Sequence, residues 1–195
     1  MNKNTNIIIT GVGGQGILLA SRVLSVAALK SGHQVKISET HGMAQRGGSV
    51  VTHLRYGSNI CSPLISVGQA DYVIGFEKLE AIRCIPYLNK DGLLIVNDQE
   101  IPPLPVLLGR IGYPDLNDSS IHEQVCRVQL VQALEKAQKM GNSRVVNMIL
   151  LGCLSQHLDI AKESWQLAID ECIRPKHREL NEQAFIAGME MQSVS

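Results

Sequence analysis

The chain has 195 residues, enough for one sizeable hydrophobic core, and we expect a single domain over residues 1–195. Its 18 Lys and Arg residues balance 18 Asp and Glu residues, and aromatic residues make up 4%. Without a basic excess or many aromatic rings, the chain lacks the field and the stacking surfaces that nucleic-acid binding needs, so we expect no nucleic-acid partner.

The five cysteines are odd in number and widely spaced: Cys61, Cys84, Cys126, Cys153 and Cys172. Disulfide frameworks, zinc sites and iron–sulfur clusters need paired or closer cysteines, so we expect reduced thiols and no metal site. The polar N-terminus is unlike a signal peptide, and no apolar run approaches the roughly 20 residues of a membrane-spanning helix. We therefore expect a cytoplasmic protein without a membrane partner.

The first third of the chain alternates strand and helix patterns. Three consecutive isoleucines in residues 7–10 predict a buried strand, and residues 17–30 predict a helix that Gly32 ends. Residues 35–38 predict a second strand, which completes a βαβ unit. Each of the two strands runs into a glycine-rich turn, so we expect both turns at the carboxyl edge of one sheet, where open α/β folds bind ligands.

Further strands follow. A β-branched run predicts a strand over residues 49–56, and a three-residue glycine-containing loop favours residues 60–67 as its hairpin partner. Unalternated apolar runs at 72–76 and 93–96 are typical of buried parallel strands, and residues 77–88 between them predict a helix.

The second half is mainly helical. Prolines across residues 101–118 predict an extended loop, and residues 125–131 fit either a last strand or the start of a helix that runs to Met140. Three helices are expected over residues 144–157, 163–173 and 176–191. The whole pattern predicts a three-layer, Rossmann-like, doubly wound α/β fold with a mainly parallel sheet and C-terminal helices, about 142–195, packed on it.

The first glycine turn follows the first strand and opens a helix. Gly11, Gly13 and Gly16 have the Gly-x-Gly-x-x-Gly spacing of dinucleotide-binding turns. Glycine permits positive φ and lets a phosphate approach the backbone, while the helix N-terminus offers N–H groups to an anion. Gly14 and Gln15 complete the candidate binding residues, Gln15 because its amide can both donate and accept hydrogen bonds. A tight packing turn without a ligand is the alternative.

The second glycine turn reads Glu-Thr-His-Gly-Met-Ala-Gln-Arg-Gly-Gly-Ser-Val over residues 39–50. The guanidinium of Arg46 could hold a phosphate or carboxylate of a ligand, or pair with Glu39 or another carboxylate of the chain. The glutamate lies where an acidic residue would hold a ribose hydroxyl, and the histidine suits a structural hydrogen bond better than acid–base catalysis. The candidate binding residues of this turn are Glu39, His41, Gln45, Arg46, Gly47 and Gly48.

Other polar residues suggest structural roles. Glu77 and Glu80 open a helix and are expected to be solvated, while Asp98 suits a turn. Asn142 and Asn147 flank a helix start and are expected to cap it. Residues 176–179 are expected to form a solvated helical face, with docking of an acidic partner as the alternative. No residue can be assigned a catalytic role.

The two turns together resemble the gamma-type subunits of 2-oxo acid:ferredoxin oxidoreductases. The first turn supplies Gly-Val-Gly-Gly-Gln-Gly over residues 11–16, and the second is most similar to the small subunits of the indolepyruvate ferredoxin oxidoreductases. The Gly-Asn-Ser-Arg-Val-Val-Asn-Met-Ile-Leu-Leu-Gly segment at residues 141–152 also resembles that family. The resemblance thus spans nearly the whole chain.

The resemblance implies one part of a larger enzyme that is inactive alone. Such enzymes oxidatively decarboxylate an aryl 2-oxo acid, reduce ferredoxin and form an acyl-coenzyme A. Thiamine diphosphate, Mg²⁺ and the iron–sulfur clusters are expected in the large partner subunit. The two glycine turns of this chain are then candidates to hold coenzyme A, whose pyrophosphate suits them.

Two alternatives remain open from the sequence. The first turn by itself also fits a free-standing NAD(P)- or flavin-dependent dehydrogenase. A Rossmann-like ligand-binding module without catalysis is the other alternative. Tight, stoichiometric binding of NAD(H) would favour the dehydrogenase, whereas a neighbouring gene for a thiamine- and iron–sulfur-binding chain would favour the complex.

Overall fold

The structure is a computed structural model that describes residues 4–42, 47–116, 118–122, 125 and 127–191. Its strands are β1 (Thr5–Val12), β2 (Gln34–His41), β3 (Ser49–Gly57), β4 (Ala70–Gly75), β5 (Leu88–Asn97) and β6 (Val128–Val131). Its helices are α1 (Ile17–Lys30), α2 (Lys78–Cys84), α3 (Leu104–Leu107), α4 (Ser119–His122), α5 (Ala133–Lys139), α6 (Val146–Ser155), α7 (Lys162–Cys172) and α8 (Pro175–Met189).

The strands form one sheet in the order β2-β3-β1-β4-β5-β6. The pairings β1–β4, β4–β5 and β5–β6 are parallel, and β3 runs antiparallel to both of its neighbours. Ile7, Ile8 and Ile9 on the central strand β1 are fully buried, because helices and loops cover both faces of the sheet. The mainly parallel, doubly wound α/β fold predicted from the sequence is confirmed.

The position of β3 corrects the expected βαβ unit. β1 and β2 run in the same direction but do not pair, because β3 lies between them and hydrogen-bonds with both. The carboxyl ends of β1 and β2 still reach the same edge of the sheet, with Val12 opposite Ser49 and His41 opposite Val50. The two glycine turns therefore lie at one edge, as the sequence predicts.

The hairpin expected between β3 and residues 60–67 is wrong: β3 pairs with β2 instead, and residues 60–67 form no strand. Side chains of β3 hold this segment as a loop. Arg55 donates from its guanidinium to the carbonyl oxygen of Ser62 over 3.0 Å. His53 Nδ1 accepts from the N–H of Ile65 over 3.2 Å, and burial lowers the pKa of His53.

Two apolar cores lie on opposite faces of the sheet. The larger combines α1, α5, α6, α7 and α8 with one face of the strands, and the smaller lies under α2, α4 and the loop before β4. The helix expected over residues 77–88 is shorter, since a 3-10 turn with Pro86 follows α2 and leads into β5. Residues 125–131 contain the edge strand β6, which resolves their ambiguity in favour of a strand.

The C-terminal helices pack on the larger core. α6 is buried on nearly all sides, which explains its uniformly apolar sequence. It crosses α8 so closely that a Cβ on Gly152 would collide with the carbonyl oxygen of Phe185, and one on Gly188 with that of Ile149. α7 lies against α1, where Ser31 Oγ donates to Ser164 Oγ over 2.9 Å.

The described cysteines are all free thiols: Cys61, Cys84, Cys153 and Cys172. Burial raises the pKa of Cys84 to about 11 and that of Cys153 to about 12, so both are protonated at neutral pH. Within the described ranges, no three His, Cys, Asp or Glu side chains are grouped to hold a metal ion. No helix in that part of the chain has the length and apolarity to cross a membrane.

Candidate functional site

The two glycine turns contact each other through the backbone. The N–H of Gly13 donates to the carbonyl oxygen of Gly48 over 2.8 Å, and the N–H of Gly47 donates to that of Gly13 over 3.4 Å. These bonds extend the β1–β3 pairing by one step beyond Val12 and Ser49. The described candidate residues of the two turns thus lie next to each other at one edge of the sheet.

Glycine is required in the first turn for two different reasons. Gly14 and Gly16 have φ of 104° and 86°, where a side chain is strained. Gly11 has no such φ, but a Cβ there would lie 2.7 Å from Cβ of Phe76 and 2.6 Å from Oε1 of Gln15. Close packing, not a ligand, accounts for Gly11.

Gln15 braces the first turn from inside. Its Oε1 accepts from the N–H of Val12 over 2.7 Å, and its Nε2 donates to the carbonyl oxygen of Phe76 over 3.1 Å. Nε2 also lies 3.2 Å from Oε1 of Gln99, which it reaches as a donor. The amide anticipated as a ligand contact is therefore engaged in fixing the turn to the ends of β4 and β5.

A small cluster of buried amides continues this brace. Asn97, fully buried at the end of β5, donates from Nδ2 to the carbonyl oxygen of Phe76 over 3.1 Å and to Gln99 Oε1 over 3.0 Å. Its Oδ1 accepts from the N–H of Leu134 in α5 over 3.2 Å. The cluster joins the first turn, two strand ends and α5 with neutral groups whose charge does not change with pH.

A cleft of about 390 Å³ opens beside the first turn. Gly14, Gln15 and Gly16 form one side of it, and Arg144 contributes a guanidinium. Gly16 is the N-cap of α1 without a side-chain cap, and the first α1 bond runs from Ala20 to its carbonyl oxygen. The preceding N–H groups therefore have no partner within α1, so the helix presents donors and partial positive charge to an anion.

The C-terminal part supplies polar residues of this cleft, among them Arg144 and Asn147, that local sequence patterns did not reveal. Asn147 is 2% exposed and donates from Nδ2 to the carbonyl oxygen of Gly16 over 3.4 Å. It is not the expected cap, since the N-cap position of α6 is Val145. Asn142 does cap the short 3-10 turn before α6, accepting from the N–H of Arg144 over 3.0 Å. The only sequence signal for this contribution was the family resemblance of residues 141–152.

A second cleft, of about 310 Å³, adjoins the first and shares Leu19 and Arg144 with it. Arg174 and His177 at the start of α8 also line this second cleft, and none of its lining residues is acidic. Lys176, His177 and Glu179 are exposed and Arg178 is half-buried, so most of the solvated face expected at 176–179 is confirmed. Arg178 donates from Nε to the carbonyl oxygen of Ile173 over 3.0 Å.

The second turn is more exposed than the first. Glu39 Oε1 accepts from Ser21 Oγ of α1 over 3.2 Å, and its Oε2 lies 3.8 Å from Nε2 of His41. The side chain of His41 is 46% exposed. Gln45 and Arg46 lie outside the described residues, so their roles stay sequence-based predictions.

The carboxylates at the start of α2 are buried, and the expectation that they are solvated is wrong. Glu77 is 1% and Glu80 5% exposed. Glu77 accepts from the N–H of Ile101 over 3.1 Å and from the hydroxyl of Tyr113. Burial and this carboxylate raise the pKa of Tyr113. Glu80 accepts from Ser49 Oγ at the start of β3, which ties α2 to the second turn.

Asp98 lies at the same edge, just after β5. Its carboxylate pairs with Lys78 Nζ at 2.7 Å, and its N–H donates to the carbonyl oxygen of Val131 over 2.7 Å. Burial alone would lower the pKa of Lys78, but hydrogen bonds to Asp98 and Glu100 raise it. Asp98 therefore has the turn role that the sequence suggested.

The sequence matches the profile of one family, described as pyruvate ferredoxin/flavodoxin oxidoreductase, over residues 6–191. Among curated proteins, it is 38% identical over 192 residues to the indolepyruvate oxidoreductase subunit IorB of Thermococcus kodakarensis. It is 39% identical over 192 residues to the protein of the same name from Pyrococcus horikoshii. Each alignment covers 96% of this chain and 95% of the relative.

Solved structures show the same fold. The gamma subunit of a keto/oxoacid ferredoxin oxidoreductase from Geobacter sulfurreducens superposes with a TM-score of 0.69 at 23% identity, covering 95% of this chain and 96% of that one. A 2-oxoglutarate:ferredoxin oxidoreductase from Magnetococcus marinus, with 2-oxoglutarate, coenzyme A and succinyl-CoA bound, gives 0.74 at 19% identity. That match covers 96% of this chain and 30% of the other.

Proposed function

The chain belongs to the pyruvate ferredoxin/flavodoxin oxidoreductase family, and we propose that it is the small subunit of an indolepyruvate ferredoxin oxidoreductase. The observation that carries this proposal is the identity of 38% and 39% to two IorB subunits, in alignments that cover 96% of this chain and 95% of each relative. The enzyme would oxidatively decarboxylate an aryl 2-oxo acid to the acyl-coenzyme A and pass the electrons to ferredoxin.

The redox cofactors of that reaction do not fit the residues of this chain that the structure describes. The described cysteines are dispersed, and within the described ranges no three potential metal ligands are grouped. We therefore assign thiamine diphosphate, Mg²⁺ and the iron–sulfur clusters to the large partner subunit, as the resemblance implies. Ferredoxin would meet this chain only through the assembled complex.

Coenzyme A is the ligand that the site of this chain fits. Its pyrophosphate would lie at the N-terminus of α1, where Gly14 leaves open space beside the backbone and the first N–H groups lack helical partners. Arg144 would supply a positive charge beside it. The third phosphate of coenzyme A would lie in the adjoining cleft with Arg174 and His177, which carries no acidic side chain.

A free-standing NAD-dependent dehydrogenase fits the geometry less well. In a dinucleotide-binding fold the acidic residue that holds the ribose ends the strand next to β1. Here β3 occupies that place, so Glu39 at the end of β2 is two strand spacings, about 10 Å, from β1. Glu39 is instead engaged with Ser21 and His41.

The assembled enzyme tests the function. This chain and its large partner, co-expressed and co-purified, should reduce ferredoxin with indole-3-pyruvate only in the presence of coenzyme A. Pyruvate and 2-oxoglutarate should react at much lower kcat/KM. A complex that preferred either small 2-oxo acid, or a large subunit fully active without this chain, would contradict the proposal.

Arg144→Ala tests the coenzyme A site. Loss of a charge-assisted phosphate contact should raise the KM for coenzyme A about tenfold, with little change in kcat. Arg110→Ala is the matched control, because Arg110 is exposed and does not line either cleft. Arg46→Ala tests the sequence-based prediction for the second turn in the same assay. An unchanged KM in both Arg144→Ala and Arg46→Ala would exclude coenzyme A from the two turns.

A further inference from the structure

Exposed apolar side chains are concentrated in one short segment of the molecule. Eleven large apolar side chains are exposed in the described part of the chain, and four of them fall within eight residues. Single exposed leucines are ordinary on a protein surface, whereas a cluster of them marks an interaction site. We call the cluster the α3 patch, and its members, 55–69% exposed, are Leu104, Leu107, Leu108 and Ile111.

The patch has helical spacing without a buried face of its own. Leu104, Leu107 and Leu108 are spaced i, i+3 and i+4, which places their side chains on one side of the helical turn α3. The turn is closed by the N–H of Leu108, which donates to the carbonyl oxygen of Leu104 over 2.9 Å. Val106 between them is half-buried. An apolar helical face ordinarily packs on a core, so this face is left for a contact outside the described chain.

The segment that carries the patch is held at both ends by one buried carboxylate. The N–H of Ile101, before the patch, donates to Glu77 Oε1 over 3.1 Å, and the hydroxyl of Tyr113, after the patch, donates to the same oxygen. The Tyr113 hydroxyl also accepts from the N–H of Leu79 in α2 over 3.0 Å. Because the segment is fixed in advance, binding through the patch orders few additional residues.

The patch lies in a stretch that is poor in charge. Over residues 101–114, Arg110 is the only charged residue. In the whole chain, charged residues make up 18%, compared with about 25% in typical soluble domains. The cores of protein–protein interfaces are depleted in charged residues in the same way. The composition therefore favours a protein partner over an ionic ligand at this surface.

The patch adjoins the proposed coenzyme A cleft. Its segment leaves β5 at the carboxyl end, the edge of the sheet that also carries the two glycine turns. Gln99 lines the cleft, and Leu104 follows five residues later, a span of at most about 18 Å. By contrast, the exposed Leu64 and Val67 lie near Asn6 at the start of β1, on the opposite edge.

The family supplies the kind of partner that covers such a surface. The chain is a subunit of a multi-subunit oxidoreductase complex, so part of its surface faces another chain. In the enzyme from Magnetococcus marinus, the region that matches this chain is 30% of a longer chain. There the same fold is joined covalently to further parts of an oxidoreductase, whereas here a separate polypeptide has to supply them.

We propose that the α3 patch docks this chain onto the large subunit of the enzyme, with its four side chains in an apolar groove of that subunit. The identity of the partner rests on the proposed function. Because the redox cofactors are assigned to the large subunit, docking at the patch sets the active site of that subunit beside the coenzyme A cleft of this chain.

The co-expressed complex, purified through a tag on the large subunit, tests the patch by its dissociation on dilution. Leu107→Glu should raise the Kd about 100-fold, because a buried leucine is lost and a carboxylate has to be desolvated. Leu107→Ala, which removes apolar area without adding a charge, should raise the Kd about tenfold.

Leu167→Glu is the matched control. Leu167 is 52% exposed on α7, and α7 packs on the face of the sheet opposite to the core that α2 covers. Its substitution should leave the Kd unchanged. Leu107 and Leu167 are both exposed, so the glutamate variants should retain the wild-type urea midpoint, which shows that each chain still folds.

Two results would overturn the proposal. Leu107→Glu and Leu107→Ala could both leave the Kd at the wild-type value, or Leu167→Glu could raise it equally. A dimer of this chain alone, detected by sedimentation and dissociated by Leu107→Glu, would make a second copy the occupant instead. Failure of the proposed function is seen separately, as a preference of the wild-type complex for pyruvate or 2-oxoglutarate.

Discussion

The two glycine turns contain similar residues but are held in different ways. Gln15 and the Asn97 amide cluster fix the first turn to two strand ends, and Asn147 reaches it from α6. In the second turn, the described side chains of Glu39 and His41 contact mainly each other and α1. Packing thus accounts for much of the first turn's sequence but for little of the second's.

Because of this difference, some residues of the turns are explained by the fold and others are not. Gly11 and Gln15 are explained by the fold, so their presence says little about a ligand. His41 is exposed, and among the described residues its side chain lies 3.8 Å from Glu39, so the described packing does not require a histidine there. The donor-lined cleft lies beside the first turn and α1.

Gly11→Ala should give the largest effect, and it tests whether the first turn is fixed by packing. The new Cβ would meet Phe76 and Gln15 at 2.7 and 2.6 Å, which should lower the free energy of unfolding by about 2–3 kcal/mol. Urea denaturation measures this. Gly112→Ala is the control, because a Cβ there meets nothing within 4 Å, and it should be nearly neutral.

Gln15→Ala should lower the free energy of unfolding by about 2 kcal/mol, because it leaves the N–H of Val12 and the carbonyl oxygen of Phe76 without this partner. Gln15→Glu keeps the acceptor for Val12 but sets a carboxylate against two oxygens, those of Phe76 and Gln99. It should not restore stability in the same urea experiment. Full stability in Gln15→Glu would show that the hydrogen bonds donated by Gln15 Nε2 are dispensable.

Gly47→Ala should cost less, about 1 kcal/mol, and it probes the second turn. Its φ of 82° strains an L-residue, but open space surrounds the new Cβ. Gly47→Asn should recover part of the loss, since asparagine tolerates this conformation better. Chemical denaturation of both variants provides the measurement, and a loss as large as that of Gly11→Ala would remove the contrast between the turns.

The pH dependence of the free energy of unfolding should give the smallest effect. The amides of Gln15 and Asn97, which fix the first turn, do not titrate, whereas β3, which leads out of the second turn, carries the titratable His53. Burial lowers the pKa of His53 from its ordinary 6.5, so below pH 6.5 the unfolded chain binds more protons than the folded chain. Stability should therefore fall as the pH decreases through 6.5. His53→Gln should reduce this dependence, as measured by urea midpoints at pH 7.5 and 5.5.

His157 is the internal reference for that titration. Burial and Arg127 lower its pKa too, so a residual loss of stability at low pH should persist in His53→Gln. An unchanged pH dependence in the variant would show that His53 does not contribute. Gln15→Ala should keep the full dependence, because no titrating group is removed.

Local patterns in the sequence predicted the strands well where burial leaves few choices. The isoleucines of β1 and the apolar run of β5 are buried on both faces, so their composition alone indicates parallel strands. The proximity of the two turns could also be predicted, because strands that run in the same direction, as β1 and β2 do, end at the same edge of the sheet. The pairing partner of β3 could not be predicted in the same way, because both β2 and residues 60–67 lie close to β3 along the chain.

The parts of the site that escaped prediction depend on contacts distant in sequence. Asn147 reaches Gly16 across 131 positions, and Arg144 enters the cleft with it. Glu77 is buried by Tyr113 and its segment, although a glutamate at a helix start is ordinarily solvated. No local periodicity encodes such contacts, so only the family resemblance pointed to residues 141–152.

The glycine contact between α6 and α8 has a mechanical consequence for the cavity of about 690 Å³ that is lined by the end of α6, by α7 and by the end of α8. Gly152 and Gly188 bring the two backbones together without intervening side chains, so these two helices cannot approach each other further. The third wall is α7, which the Ser31–Ser164 hydrogen bond and the Lys30–Glu171 ion pair at 3.0 Å attach to α1. Without rearrangement of its lining side chains, the cavity can therefore narrow only if α7 moves, which strains the contacts of α7 with α1.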